Sequence, residues 1–304
     1  MYEEDLGVFF RQHGDSDSDS AEDEYVILDQ DQTPCSVSEN EAGEQGDTAR
    51  IMKFESPSFQ HPINIIEEQA KGIGFQLWPA ASFLCQYLDK RSLDILPDHV
   101  SNLDCLELGA GVGLVGLFMA ALGCKRTWVT DLPEVLPILQ RNVEVNPELA
   151  PRVTVCPLTW GTNDWEAWQQ SSASSSSSSL GRNDNGSMPA ARIFSGERRE
   201  GGAKLVVLLA DCVYWPELFG PLLDTLTGLC DSCGATVIMA HTRRWKKDGR
   251  FFSLAGKRLA VSKIHEEVSV DAEGARVVMR IFQMSSRTRV VEQLQENQDS
   301  TLST

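Results

Sequence analysis

The sequence lacks any apolar run that approaches the ~18 residues needed to cross a membrane as a helix. It begins Met-Tyr-Glu-Glu-Asp, without the basic start and apolar core of a secretory signal peptide. These two absences predict an intracellular protein with no membrane partner. We expect it in the cytoplasm, with the nucleus left open as a second location.

Basic residues are also scarce, since 27 Lys and Arg stand against 44 Asp and Glu, for a formal net charge of −17. Most of this excess lies in residues 1–49, which hold many acidic residues and a single arginine, Arg11. The remainder is close to neutral and offers no broad basic surface, while the acidic segment would repel phosphate groups. We therefore predict no nucleic-acid partner.

Histidine is rare, with five residues, and the cysteine spacing does not complete a metal site. Cys230 and Cys233 are spaced like a zinc or redox pair, but no second pair and no nearby histidine supplies the other ligands. The cysteines lie mostly within apolar patterns, which predicts buried reduced thiols. We predict no bound metal.

The composition divides the chain into an ordered domain and low-complexity segments. Residues 1–50 form an acidic tail that buries too little apolar surface to offset chain entropy, so we expect disorder there. A serine-rich insert at about 171–203 falls between two predicted strands and is expected to be a disordered surface loop. The predicted domain therefore spans 51–285, and a polar tail follows at 286–304.

Apolar strand patterns alternate with helical patterns through this domain. Strands are predicted at 103–108, 127–130, 153–157, 204–210 and 235–240, and helices at about 79–90, 112–122, 133–145 and 216–230. This alternation is typical of a parallel sheet covered by helices on both faces. Two final strands, Arg258 to His265 and Ala275 to Met284, predict a hairpin with an antiparallel strand at the edge of the sheet. The predicted fold class is α/β, with a mostly parallel, Rossmann-like, seven-stranded sheet.

The stretch 103–116 has the pattern of an apolar strand, a glycine turn and an apolar helix. Glycines at positions 109, 111 and 113 allow strained backbone dihedrals and let the backbone lie directly against a ligand. A second strand ends on Asp131, where a nucleotide-binding fold places a carboxylate for ribose hydroxyls. Together these features predict a nucleoside cofactor.

Two cofactor classes fit the glycine turn. Gly111, Gly113 and Gly116 complete a Gly-x-Gly-x-x-Gly pattern, which is typical of dinucleotide binding but also of tight helix packing. Glu107 favours S-adenosylmethionine, because a carboxylate at this position can face the ammonium group of that cofactor. An NAD(P)-dependent oxidoreductase and a non-catalytic cofactor-binding adaptor remain the alternatives.

Five motifs are distributed along the predicted domain. They are Trp78-Pro79-Ala80-Ala81, Leu106-Glu107-Leu108-Gly109-Ala110-Gly111-Val112-Gly113, Thr130-Asp131-Leu132-Pro133, Leu158-Thr159-Trp160-Gly161 and Ala210-Asp211-Cys212-Val213-Tyr214. In order and spacing the chain resembles methyltransferase family 16, the seven-β-strand protein lysine methyltransferases. The resemblance implies a class I methyltransferase fold, S-adenosylmethionine as cofactor and a protein lysine as acceptor. Elongation factors and chaperones are the first guesses for the substrate.

The resemblance also implies a set of cofactor-binding residues, to which Glu107 is added on the argument above. They are Trp78, Gly109, Ala110, Gly111, Asp131, Trp160 and Ala210. The Asp131 carboxylate could accept hydrogen bonds from both ribose hydroxyls, and the Trp160 ring could lie against the adenine. Trp78 could close over the ligand or serve as a hydrophobic staple for the following helix.

Asp211 and Tyr214 are the predicted catalytic residues, because the family signature is an acid, two variable residues and Tyr or Phe. They follow the fourth predicted strand, so their side chains should enter the same cleft as the glycine turn. Asp211 could orient the acceptor amine, while Tyr214 offers an aromatic face and a hydroxyl group. Alternatively, Asp211 could cap the helix that follows, with Tyr214 in a packing role.

Other acceptor classes are weighed on the same residues. Enzymes that methylate amino groups of nucleic acids resemble one another in an Asn or Asp followed by two prolines, and Cys212 and Val213 stand at those positions here. A small-molecule acceptor is excluded only through the family resemblance. The segment 241–248 is either a solvated helix start or a place where Arg243, Arg244 and Trp245 flank the acceptor channel and select an acidic or folded substrate surface. We expect a monomer.

Overall fold

The computed structural model describes residues 49–162, 204–245, 247–271 and 274–288. The predicted acidic tail, serine-rich insert and C-terminal tail lie almost wholly outside these ranges, so their boundaries stay predictions. Within the described ranges, no helix combines the length and apolar character required to span a membrane.

The described residues form a small two-stranded sheet, a large sheet and helices that cover it. The strands are β1 (Arg50–Phe54), β2 (Ile63–Glu67), β3 (Leu103–Leu108), β4 (Arg126–Asp131), β5 (Val153–Pro157), β6 (Lys204–Ala210), β7 (Thr236–Thr242), β8 (Leu259–Val270) and β9 (Arg276–Ser286). The α-helices are α1 (Pro79–Ile95), α2 (Leu114–Ala121), α3 (Leu136–Glu144), α4 (Phe219–Cys233) and α5 (Asp248–Arg258).

The large sheet has the strand order β5-β4-β3-β6-β7-β9-β8. The first five strands are parallel, and β9 pairs antiparallel with both β7 and β8. This confirms the predicted α/β class with a mostly parallel seven-stranded sheet and a C-terminal antiparallel hairpin. Because β9 lies between β7 and β8, the strand at this edge of the sheet is β8, and β5 forms the other edge.

Helices cover both faces of the large sheet because its central strands are apolar on both sides. Side chains of β3 alternate between the faces, so Cys105 packs with α1, α2 and α3 whereas Leu106 packs with α4 and α5. All six residues of β3 are buried. Glu107 shares the Cys105 face, and it is therefore directed toward α2.

The β1–β2 hairpin was not predicted from the sequence, and it is attached to the domain by the side-chain amides of Asn142 in α3 and of Asn146, just after that helix. The buried Asn142 accepts a hydrogen bond from the Ile66 N–H (2.7 Å) and donates to the Ile66 carbonyl (3.1 Å). Asn146 does the same with the Asn64 N–H and carbonyl, at 2.8 Å each. These two amides thus replace a neighbouring strand along the free edge of β2.

Gly116 allows α2 to pack closely against the sheet. A Cβ at this position would lie 2.2 Å from Val129 Cγ1 and 2.8 Å from Glu107 Oε2. We therefore expect Gly116→Ala to lower the free energy of unfolding by about 1–3 kcal/mol in denaturant titrations. Gly256 of α5 is the matched control, since nothing lies within 4 Å of an added Cβ there, and Gly256→Ala should not destabilise. Equal effects at the two sites would contradict the packing role of Gly116.

Candidate active site

A cavity of about 480 Å³ lies at the carboxyl ends of the central parallel strands. The structure brings all of the predicted site residues to this one cavity. They are Trp78, Glu107, Gly109, Ala110, Gly111, Asp131, Trp160, Ala210, Asp211 and Tyr214. Their individual roles stay predictions, but their convergence from five separate motifs is a finding.

The glycine turn has the strained backbone that its sequence predicts. Gly109, Gly111 and Gly113 have φ values of +61°, +53° and +84°, in the left-handed region that favours glycine. A Cβ at Gly109 would lie 2.8 Å from Trp160 Cζ2 and 3.0 Å from Cys212 Sγ. Trp160 therefore packs directly on the turn, and no larger residue fits at position 109 without displacing it.

Asp131 joins the end of β4 to this turn. Its Oδ2 accepts a hydrogen bond from the Gly111 N–H and its Oδ1 accepts one from the Leu132 N–H, each at 2.7 Å. Burial raises the pKa of the Asp131 carboxyl, and these two amides oppose the rise. Because a carboxylate offers about four lone-pair positions, both oxygens can still accept one further hydrogen bond. The geometry is therefore compatible with the predicted contact to two ribose hydroxyls.

Glu107 lines the cavity and also caps α2. Its side chain is buried, and Oε2 accepts a hydrogen bond from the Gly116 N–H at 2.7 Å. Burial raises the pKa of Glu107 to about 8, more than the amide hydrogen bonds lower it. Sequence reasoning assigned this carboxylate to the cofactor alone, whereas the structure shows that it also serves the N-terminus of a helix.

Asp211 is held at the end of β6 in an unusual conformation. Among the described residues it is the one non-glycine residue with φ in the left-handed region, at +55°, a strain of about 1–3 kcal/mol that is typical of functional sites. Its Oδ1 accepts a hydrogen bond from the Thr242 N–H (2.8 Å), and its Oδ2 accepts one from the Thr242 hydroxyl (3.1 Å). The helix-capping alternative is wrong, because the N-cap positions of the Pro216–Leu218 turn and of α4 are Trp215 and Leu218, and the Asp211 carboxylate binds Thr242 instead.

Arg244 completes the surroundings of Asp211. Its Nη2 donates to Asp211 Oδ2 at 2.8 Å, and its guanidinium lies over the Trp78 ring, 5.1 Å from the ring centre. Trp78 Nε1 in turn donates to the carbonyl of Ile73. Arg244 and Trp245 thus both line the cavity, in agreement with the predicted place beside the acceptor channel, while the selection of a substrate surface stays a prediction.

Tyr214 contributes a polar and aromatic wall on the same side. Burial raises the pKa of its hydroxyl to about 12, so the group stays protonated at neutral pH and can donate a hydrogen bond. Its ring packs edge-on against Trp215, with 5.1 Å between the centres. Trp215 is half exposed and also lines the cavity, so the aromatic wall extends to the protein surface.

Three described residues of the segment 241–248 are buried, which contradicts the interpretation of a wholly solvated helix start. His241 and Thr242 are buried at the end of β7, and Asp248 is buried at the start of α5. Asp248 Oδ2 accepts hydrogen bonds from the N–H groups of Arg244 (3.1 Å) and Trp245 (3.0 Å), and it lies 3.3 Å from His241 Nε2. The buried Asp248 carboxylate therefore holds the backbone of the loop that carries Arg244.

The segment 72–78 covers the glycine turn, a contact that sequence reasoning missed. A Cβ at Gly111 would lie 3.3 Å from the carbonyl oxygen of Gly74, and a Cβ at Gly74 would lie 2.8 Å from Val135 Cγ2. The two glycines that precede the Trp78 motif were the available signal.

Within the described ranges, no group of three or more His, Cys, Asp and Glu side chains is arranged to hold a metal ion.

Comparison with known proteins identifies similar chains across this region. A family model described as lysine methyltransferase matches residues 58–173 and 200–258. The chain is 30% identical to mouse protein N-lysine methyltransferase METTL21A over 229 residues, which cover 73% of this chain and 87% of that protein. It is 32% identical to the Saccharomyces cerevisiae protein-lysine N-methyltransferase EFM6 over 208 residues, covering 64% and 73%. Mouse EEF1A lysine methyltransferase 3 is 29% identical over 206 residues, covering 68% and 70%.

Proposed function

The chain belongs to the lysine methyltransferase family, and we propose that it transfers a methyl group from S-adenosylmethionine to the side-chain amine of a lysine in a protein substrate. One observation supports the site of this reaction most directly. The glycine turn and Asp131 line the same cavity as Asp211 and Tyr214, so a cofactor and an acceptor could meet there.

The cavity suits a cofactor that carries a nucleoside and positive charges. Its volume is within the usual range for small-molecule sites. Two carboxyl groups, Glu107 and Asp131, line the β3–β4 side, and an ammonium or sulfonium group beside them would be stabilised by the ionised form of either carboxyl. The absence of a Cβ at Gly109 lets Trp160 pack against the glycine turn, where its ring offers a flat apolar surface beside the cavity.

Each of the predicted site residues would contact a different part of the cofactor or the acceptor. Asp131 would accept the ribose hydroxyls, Glu107 would face the ammonium group, and Trp160 would lie against the base. When bound, S-adenosylmethionine supplies an electrophilic methyl group on a sulfonium centre. Asp211 and Tyr214, at the end of the adjacent strand β6, would orient the acceptor amine in line with that methyl group.

The dinucleotide alternative loses its sequence support in the structure. Gly116, the third glycine of the Gly-x-Gly-x-x-Gly pattern, packs α2 against Val129 and donates its N–H to Glu107. Membership of a lysine methyltransferase family places the chain outside the nicotinamide oxidoreductases. The alternative of a non-catalytic cofactor-binding adaptor is distinguished from an enzyme by whether methyl label is transferred to a protein.

The test is transfer of label to protein. The full chain is incubated with methyl-labelled S-adenosylmethionine and a hypomethylated cell extract, and labelled residues are identified by mass spectrometry. The proposal expects label on lysine side chains, with none in reactions without the enzyme. Elongation factors and chaperones are the proteins to inspect first, and one of the similar proteins is named for EEF1A. Cofactor binding without any labelled lysine would support the adaptor instead.

Cofactor binding is expected to release a proton from Glu107. Because the pKa of this carboxyl is about 8, it is largely protonated in the free protein at neutral pH. An ammonium group beside it favours the charged form, so binding should release up to about one proton. Calorimetric binding enthalpies measured at neutral pH in two buffers of different ionisation enthalpy should therefore differ.

Glu107→Gln is the matched control for this prediction, because glutamine can still accept the Gly116 N–H but cannot titrate. Its binding enthalpy should be the same in both buffers. A raised folded-state pKa also means that the wild type loses stability as the pH rises from 4.5 to about 8, a slope that the variant should lack. Buffer-independent binding by the wild type would show that Glu107 does not meet the ammonium group.

A further inference from the structure

The position of Asp211 presents a chemical difficulty for lysine methylation. The acceptor must be a neutral amine, whereas a free lysine with a pKa near ~10.4 is almost wholly protonated at neutral pH. A bare carboxylate beside the amine makes this worse, because an opposite charge within a few ångströms favours the ammonium form. Asp211 alone would therefore bind the substrate in the form that cannot react.

The structure shows that Asp211 does not present a bare charge. Its carboxylate pairs with the Arg244 guanidinium at 2.8 Å, and the side chains are 3% and 23% exposed, respectively. Screening by water is weak at such burial, so the two opposite charges largely cancel. The pair nevertheless lines the cavity where the acceptor would enter.

The hydrogen bonds of Asp211 leave room for one more donor. A carboxylate has about four lone-pair positions. Three are used, by the Thr242 N–H on Oδ1 and by the Thr242 hydroxyl and Arg244 on Oδ2. One position on Oδ1 remains, which suits a single N–H of an amine rather than the three donors of an ammonium ion.

Arg244 is fixed in this arrangement from three directions. Its guanidinium lies over Trp78, its charge is paired with Asp211, and its backbone N–H donates to the buried Asp248. Other ionisable groups also surround the cavity and the loop. They are Glu107, Asp131, Cys212, Tyr214 and Lys247 along the cavity, with His241 and Asp248 beneath the loop.

We propose that Arg244 is a positioning residue that cancels the charge of Asp211, so that Asp211 orients the acceptor lysine as a neutral amine. This rests on the proposed function, since it concerns the acceptor of that reaction. Loss of the guanidinium would expose a carboxylate to the incoming amine and remove a nearby positive charge. Both changes favour the ammonium form of the bound lysine.

The test is the pH dependence of methyl transfer by Arg244→Gln, measured with labelled S-adenosylmethionine and the extract protein that the wild type labels. The rise of kcat with pH reports deprotonation of the bound acceptor. In Arg244→Gln we expect this rise to move upward by about one to two pH units, so kcat at neutral pH falls about 10- to 100-fold and recovers in base. The half-saturating concentration of the acceptor should fall or stay unchanged.

Two further variants separate charge from folding. Arg244→Lys keeps a cation and should hold the rise of kcat close to its wild-type position. Arg250→Gln removes an exposed arginine of the same region and should leave rate and pH profile unchanged. A uniform loss of kcat at every pH in Arg244→Gln, or an equal shift in Arg244→Lys, would overturn the inference. Absence of lysine labelling by the wild type would instead overturn the proposed function, and the inference with it.

Discussion

Asp211→Asn is expected to lower methyl transfer by about 100-fold or more, while the cofactor dissociation constant changes less than about threefold. The asparagine oxygen can still accept the Thr242 N–H, but its amide group turns N–H donors toward Arg244. The side chain can then no longer neutralise the guanidinium, which is left as an unpaired charge beside the incoming amine. Transfer is measured with the extract assay, and cofactor affinity by calorimetry.

The stability of this variant has to be measured alongside its activity. Removing one partner of a buried ion pair can cost about 3–5 kcal/mol, although the partial exposure of Arg244 reduces that cost. Asp224→Asn is a matched control, since Asp224 pairs with Arg258 at 2.7 Å on the exposed surface. This control should retain both stability and activity, because exposed pairs contribute little. Full turnover by Asp211→Asn would remove Asp211 from the acceptor site.

Asp131→Ala is expected to weaken cofactor binding by about 100-fold or more. In the proposed binding mode the substitution would remove two charge-assisted hydrogen bonds to the ribose, worth about 1.5–3 kcal/mol each. It also frees the Gly111 N–H, which Asp131 holds at 2.7 Å, so the glycine turn loses its link to β4. Calorimetric titration of the variant with S-adenosylmethionine gives the dissociation constant.

Glu134 supplies the control for Asp131. It is an exposed acid three residues further along, outside the residues that line the cavity, and Glu134→Ala removes a like charge near Asp131 without touching the site. We expect it to bind the cofactor as the wild type does. Unchanged affinity in Asp131→Ala would show that the nucleoside lies elsewhere.

Local features of the site could be predicted because each depends on a short segment. The glycine turn at 109–113 needs only the backbone freedom of its own residues, and Asp131 follows from its place at the end of an apolar strand. The mostly parallel sheet follows from the alternation of strands and helices along the chain. These inferences require no knowledge of which distant side chains meet.

The interactions that sequence reasoning missed join distant segments. Arg244 meets Asp211 and Trp78 only because the ends of β6 and β7 and the start of α1 converge on one cavity. The contacts of Asn142 with β2 span 76 residues in the chain. A single sequence does not show such pairings, since their residue types are equally suited to an exposed surface. The sequence therefore predicted Arg244 either as a solvated residue or beside the acceptor channel, and its ion pair with Asp211 is visible only in the structure.

The place of β9 in the sheet determines when the sheet can be completed during protein synthesis. A ribosome makes β8 before β9, yet among the described strands β8 pairs only with β9 and reaches the sheet through it. Until residues 276–286 have emerged, the β7 side of the nascent sheet presents unpaired backbone groups, which can template aggregation. A chain truncated early within β9 would therefore keep all of its binding motifs but leave the sheet incomplete. Such a chain would be a target for chaperones and proteases rather than a smaller working enzyme.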